Sequence, residues 1–218
     1  MGDRLALQGS LFDDGPAEGA VRTRASFRRD YLTRGAWVDV CPGWLASADE
    51  TYRALLRDVP WQAEQRQMWD TVVDVPRLLC FYGEDDPLPH DSLVEAKAAL
   101  DTRYAATLGR YAGSGPEQFA TAGLCLYRDG RDSVAWHGDR IGRSRTIDTL
   151  VAIVSLGSRR DLMLRPRGGG TSRRYPLGHG DLVVMGGSAQ RTWEHCVPKT
   201  ARDVGPRISV QFRPRGVR

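Results

Sequence analysis

Beyond Gly115 the chain is a succession of short apolar stretches separated by Gly-rich and polar turns, at 119–127, 133–139, 149–156, 161–165, 173–177, 181–185 and 207–213. Strands this short and this closely spaced bury their apolar faces only by packing into a sandwich or barrel. The last stretch shows how such a sheet is faced. Side chains alternate along a strand, so Ile208, Val210 and Phe212 share one face, while Arg207, Ser209, Gln211 and Arg213 share the other. Pro214 ends the ladder. Two arginines on one face of an otherwise apolar strand need anionic partners. Each guanidinium can grip a carboxylate through two parallel hydrogen bonds, so the pair suits a small dicarboxylate.

The N-terminal half supplies helices. Residues 1–30 mix Gly, Asp and Arg with few apolar positions and suggest a flexible basic arm ending in Arg22, Arg24, Arg28 and Arg29. A strand is expected at 36–40, then a helix to about Asp58 opened by Ser47 with Glu50 three residues on, the pattern of a capping box. A second strand is expected at 75–83 and an acidic, Pro-rich loop to His90. Asp91 then caps a helix whose Leu93, Ala96, Leu100, Tyr104 and Leu108 recur at three- and four-residue steps, one face for a sheet. The fold class is therefore α+β, mainly β, with helices packed on one side of a β-sandwich and 31–218 forming one domain.

Charge and composition bound the partners. The net charge is +4, carried almost wholly by arginine, since Lys97 and Lys199 are the only lysines. That is either compositional bias or an electrostatic footprint for a polyanion. Cys41, Cys80, Cys125 and Cys196 are scattered without metal or disulfide spacing, and no apolar run approaches the ~20 residues of a membrane span. No signal-peptide core follows Met1. A cytoplasmic monomer without membrane contact is expected.

Trp136-His137-Gly138-Asp139 carries the chemistry. In an extended strand His137 and Asp139 point the same way. With His195 of Trp193-Glu194-His195-Cys196 arriving from another strand, two imidazoles and a carboxylate cover one face of an octahedron and leave the opposite face open. That geometry suits a non-haem Fe(II) oxygenase.

Six ordered segments then carry a family resemblance. They are Leu124-Cys125-Leu126-Tyr127-Arg128-Asp129-Gly130, Asp132 to Asp139, Ser155-Leu156-Gly157, Leu177 to Leu182, Trp193 to Lys199, and Pro206 to Arg213. Together the set resembles the AlkB family of Fe(II)- and 2-oxoglutarate-dependent dioxygenases, nucleic-acid demethylases. Val59-Pro60-Trp61, Pro76-Arg77 and Tyr82-Gly83 extend the likeness upstream.

The resemblance implies a double-stranded β-helix, or jelly-roll, at 116–218, with a nucleotide-recognition lid and supporting helices at 31–115. His137, Asp139 and His195 would ligate Fe(II). Arg207 would hold the distal carboxylate of 2-oxoglutarate and Arg213 the carboxylate beside the keto group, with Tyr127, Cys125 and Ser209 nearby. With O2, the co-substrate would go to succinate and CO2, and a hydroxylated N-alkyl group would leave the base as formaldehyde. DNA is the expected substrate, with a flipped or single-stranded base. An RNA or tRNA base is the alternative with the same chemistry, and a non-catalytic nucleic-acid-binding jelly-roll is the third.

Substrate contacts expected on this basis are Trp61, Arg77, Tyr82 and His90, with Arg140, Arg143, Arg159 and Arg160 in a phosphate-contacting rim. Two departures stand out. Cys125 occupies a position where the family commonly has Asn, and a thiol cannot reproduce the hydrogen bonds of an amide. After Asp139, Arg140-Ile141-Gly142-Arg143 stands where acidic readers of the damaged base are common.

Overall fold

The computed structural model describes residues 19–68, 71–112, 117–139 and 146–217. Residues 1–18 of the expected arm, with Trp69, Arg140, Arg143 and Arg145, lie outside them. The elements in order are β1 (Arg28–Tyr31), β2 (Ala36–Cys41), α1 (Ala48–Asp58), β3 (Gln62–Met68), β4 (Thr71–Tyr82), α2 (Asp91–Ala112), β5 (Phe119–Tyr127), β6 (Val134–His137), β7 (Val151–Gly157), β8 (Arg160–Pro166), β9 (Arg173–Leu177), β10 (Asp181–Gly187), α3 (Ala189–Thr192), β11 (Trp193–Val197) and β12 (Arg207–Pro214).

The strands form a large sheet in the order β1-β2-β10-β7-β12-β5-β4-β3 and a small one in the order β6-β11-β8-β9. β12 lies inside the large sheet, antiparallel to β5 and β7, and its two faces part as parity requires. Ile208, Val210 and Phe212 are fully buried in a core shared with α1 and α2, where Leu55, Leu93, Ala96, Leu100, Tyr104 and Leu108 also lie. The opposite face looks toward the small sheet, where Cys125, Tyr127 and Ile153 meet Leu162, Leu164, Trp193 and Val197 in a second core. The functional cleft opens in this second layer, so the helices brace the sheet from behind without reaching the chemistry.

Several elements differ from sequence expectation. β3 is mostly polar and carries no alternating apolar pattern, because its residues 62–65 are exposed and it is held by its ladder to β4. β11, which carries His195, joins the seven expected strands, and β1 pairs with β2 where a loose arm was expected. Paired backbone is present well before residue 31. Val21 bridges Leu45, and the Arg29 guanidinium holds the buried Asp39 carboxylate at 2.6 and 2.7 Å.

The helix starts also depart from expectation. Ser47 precedes α1, but its hydroxyl bonds Ser92 at 2.8 Å instead of a backbone N–H, tying α1 to α2 in place of a capping box. α2 begins at Asp91, and His90 fills the cap position: its carbonyl accepts from Leu93 N–H and its Nδ1 from Ser92 N–H.

Candidate active site

β6 ends at His137, which pairs directly with His195 on β11; a register shift follows between His195 and Val197. Gly138 and Asp139 therefore lie just past the strand instead of on it, a correction to a single strand bearing both ligands. Asp139 is fixed by its own N–H, donated to Gln190 Oε1 at 2.9 Å. Gly138 must be glycine here, since a Cβ would come within 2.8 Å of the Gln190 carbonyl oxygen and 2.9 Å of Arg167 Nη2.

The potential ligand atoms of His137, Asp139 and His195 all lie within 4.8 Å of one another. The two imidazole centroids are 4.2 Å apart, and His137 Nε2 is 3.5 Å from Asp139 Oδ1. His137 Nδ1 lies 2.8 Å from the Ala135 carbonyl oxygen. A carbonyl only accepts, so Nδ1 is a donor here and Nε2 is the nitrogen that faces the cluster.

His195 is buried; burial, with His137 beside it, pushes its imidazole down to about 3 against the pull of Asp139. Asp139 is also buried. Burial alone would raise its carboxyl, but Arg213, His195 and His137 outweigh that and hold it at about 2. At neutral pH the cluster thus offers a carboxylate and an unprotonated His195 imidazole, the donor set a divalent metal requires.

The cleft around this cluster holds about 470 Å³ of empty space, counted out to its mouth. Arg207 lies at one end, only 1% exposed. Its Nε donates to Ser155 Oγ at 2.9 Å, its guanidinium lies 5.2 Å from the Tyr127 ring centre, and its Nη1 is buried without a partner. A buried charged donor left unmet is costly, and a carboxylate would satisfy it. Tyr127 is pushed up to about 12, by burial first and against the pull of Arg207, Arg77 and Arg160, so its hydroxyl stays neutral.

Arg213 lies at the other end and donates from Nε to Asp139 Oδ2 at 2.9 Å. Cys125, Ser209 and Gln211 line the stretch between the arginines, while Val134, Ile153, Leu162 and Val197 form apolar walls. Arg77 also lines the cleft; its Nη1 holds the Ser133 carbonyl oxygen at 3.0 Å and its Nε is buried without a partner.

Of the residues expected from sequence, the structure gathers His137, Asp139, His195, Tyr127, Arg207, Arg213, Ser209, Cys125 and Arg77 into this one cleft. Others lie elsewhere. Trp61 packs against the helical core and donates to the Leu55 carbonyl. Tyr82 packs on the same side, since it alternates with Phe81 on β4, and His90 serves the start of α2.

Arg160 is buried and donates to the carbonyl oxygens of Asp129, Asp132 and Pro198, which makes it a staple between the β5–β6 loop and the segment after β11. Arg159 is exposed. Gln211 and Gln190 were missed as site residues; the parity of β12 pointed to the first, and no local signal marked the second.

Comparison with known proteins follows the same outline. The 2OG-Fe(II) oxygenase superfamily model matches residues 41–213. The chain is 31% identical over 210 residues to the alpha-ketoglutarate-dependent dioxygenase alkB homolog 3 of Bos taurus, covering 82% of this chain and 68% of the bovine protein. It is 30% identical over 146 residues to the DNA oxidative demethylase ALKBH2 of Arabidopsis thaliana, covering 56% and 44%. It spans about two thirds of the length of the alkB homolog 3 relatives it matches. The solved structure of OsALKBH1 shares the fold, with a TM-score of 0.59 at 13% identity over 85% of this chain and 99% of that one.

Proposed function

The chain belongs to the 2OG-Fe(II) oxygenase superfamily, among the AlkB-type dioxygenases, and on that premise we propose that it oxidatively demethylates N-alkylated bases in DNA. The observation that carries the reading is one cleft holding a His-Asp-His cluster between two arginines, one of them with a buried guanidinium nitrogen lacking a partner. The resemblance to the DNA oxidative demethylase ALKBH2 of Arabidopsis thaliana favours DNA.

The residues present fit the groups this family uses. His137 through Nε2, Asp139 and His195 would hold Fe(II), leaving the opposite face for O2 and co-substrate. Arg207, braced by Ser155 and Tyr127, would take the distal carboxylate of 2-oxoglutarate, and Arg213 the carboxylate next to the keto group. When bound, these groups supply the oxidation: 2-oxoglutarate goes to succinate and CO2, and one oxygen goes to the N-alkyl carbon, which leaves as formaldehyde.

The chain's own work is orientation and exclusion. Arg213 keeps Asp139 charged and aimed. The Ala135 carbonyl fixes the His137 tautomer. Val134, Ile153, Leu162 and Val197 keep water off the reacting carbon. β4 pairs with β5 only at Leu78–Tyr82, so the far part of the β3–β4 hairpin extends beyond the sheet beside Arg77. We assign this hairpin as the nucleotide-recognition lid and Arg77 as a contact to the incoming strand. Action as a monomer in the cytoplasm completes the reading; all four cysteines are free thiols, and no described helix is long and apolar enough to cross a membrane.

The test is succinate and formaldehyde release from a methylated single-stranded oligonucleotide by the Fe(II)-loaded protein, with Asp139→Ala as the blank. Turnover that depends on the methyl group supports the reading. No turnover on methylated DNA or RNA at full iron occupancy refutes it, and faster turnover of the matched RNA moves the substrate to RNA.

A further inference from the structure

Between the two arginines the cleft floor is built by three polar side chains, Cys125, Ser209 and Gln211, and only Gln211 carries an amide. Its carboxamide is engaged at both ends. Oε1 accepts from Arg213 Nη2 at 3.1 Å, while Nε2 donates to Ser209 Oγ at 2.8 Å and to Cys125 Sγ at 3.3 Å. Arg213 in turn gives its Nε to Asp139. A continuous relay therefore runs from the Asp139 carboxylate through the guanidinium and the amide to the floor of the cleft.

The room for this relay comes from Gly123, which faces Gln211 across β5 and β12. A Cβ there would stand 2.8 Å from Arg213 Nη1 and 3.4 Å from Gln211 Oε1. The guanidinium lies across the bare backbone, held edge-on by two acceptors of different charge. An unheld arginine side chain has several rotatable bonds to freeze, and each hydrogen bond that pre-orders it reduces the cost of gripping a ligand.

We infer that Gln211 is a co-substrate-positioning residue, which fixes the Arg213 fork for the 2-oxoglutarate carboxylate beside the keto group and supplies from β12 the amide that position 125 lacks. The inference rests on the 2-oxoglutarate reading of the cleft. Cys125 does not leave the site deficient, because its sulfur accepts from an amide that reaches the same place from the neighbouring strand. The thiol and the glutamine form one complementary pair.

The experiment is 2-oxoglutarate binding to the anaerobic Fe(II)-loaded protein by calorimetry, with Fe(II) affinity and ligand-free thermal melting measured in parallel. Gln211→Ala should weaken 2-oxoglutarate binding about tenfold, the loss expected for one or two hydrogen bonds, and leave Fe(II) affinity unchanged. In turnover the loss should fall on the KM for 2-oxoglutarate and spare kcat. Adding Cys125→Asn to Gln211→Ala should recover most of the binding, whereas Cys125→Asn alone should not tighten it.

Gln211→Glu keeps the size and gives Arg213 a competing anion, so it should also bind more weakly. Wild-type affinity in either Gln211 variant overturns the inference while leaving the dioxygenase reading intact, as does tighter binding by Cys125→Asn alone. A wild-type protein that takes up Fe(II) but no 2-oxoglutarate overturns the functional reading itself.

Discussion

Arg213 Nε donates to Asp139 Oδ2 at 2.9 Å, joining a side chain of the last strand to a carboxylate 74 residues earlier in the chain. Both are largely buried, at 13% and 4% side-chain exposure, so neither charge has water to fall back on. Removing one partner of a buried pair leaves the other uncompensated. Asp139→Ala should therefore lower the stability of the metal-free protein by about 3 kcal/mol, besides abolishing Fe(II) uptake. Urea denaturation of the metal-free protein measures the first effect, and unchanged stability would show that the pair is not coupled to the fold.

His195 gives the acid response a defined window. Its folded imidazole is driven down to about 3, chiefly by burial, whereas in the unfolded chain it protonates near 6.5. Between these values the unfolded chain binds a proton that the folded chain refuses, so stability falls as pH drops below 6.5 and is unaffected above it. At pH 5 the loss from this residue alone should be about 2 kcal/mol. Urea midpoints of the metal-free protein at pH 7 and pH 5 should differ by less in His195→Gln than in the wild type; equal pH dependences would count against the buried neutral state.

Arg207→Lys keeps a positive charge at the base of the cleft and loses the planar fork. Lysine cannot donate to Ser155 and to a carboxylate in one plane, so the KM for 2-oxoglutarate should rise at least about tenfold. Steady-state kinetics at saturating oligonucleotide decide it. A KM within a factor of about two of wild type would remove Arg207 from the co-substrate site.

Arg160 separates a structural arginine from a nucleic-acid contact. Because it closes three backbone carbonyls, Arg160→Ala should cost about 3 kcal/mol of stability. The salt dependence of oligonucleotide binding should keep its slope, which a lost phosphate contact would reduce by about one. A shallower slope in the variant would return Arg160 to the nucleic-acid interface.

Gly138→Ala should impair the metal cluster without touching a ligand. The added carbon meets the Gln190 carbonyl oxygen, a backbone atom that cannot swing aside, and the adjustment falls on the segment joining His137 to Asp139. A loss of about 1–3 kcal/mol is the usual cost of such overpacking. Anaerobic Fe(II) titration should show weakened binding, and wild-type affinity would mean the segment relaxes freely.

Residue order and periodicity alone determined which face of α2 and of β12 would be buried. The five apolar positions of α2 and the two faces of β12 follow from local periods, and the cluster of His137, Asp139 and His195 is legible because those residue types bind metal wherever they meet. Local pattern does not say which distant groups a long polar side chain will find. Strand parity sets Arg207 and Arg213 apart in the sequence, and both end in the cleft, but nothing local distinguishes Arg160 from an exposed cation, and it is spent on carbonyls at 129, 132 and 198.

The same limit hid His90 at the start of α2 and the mostly polar strand β3, whose pairing partner rather than its own pattern makes it a strand. It also hid the relay through Gln211, which exists because Gly123 on the neighbouring strand leaves room for a guanidinium. Tertiary structure decided these assignments because hydrogen-bond satisfaction is met across the whole fold, whereas the alternation of faces is set within a few residues.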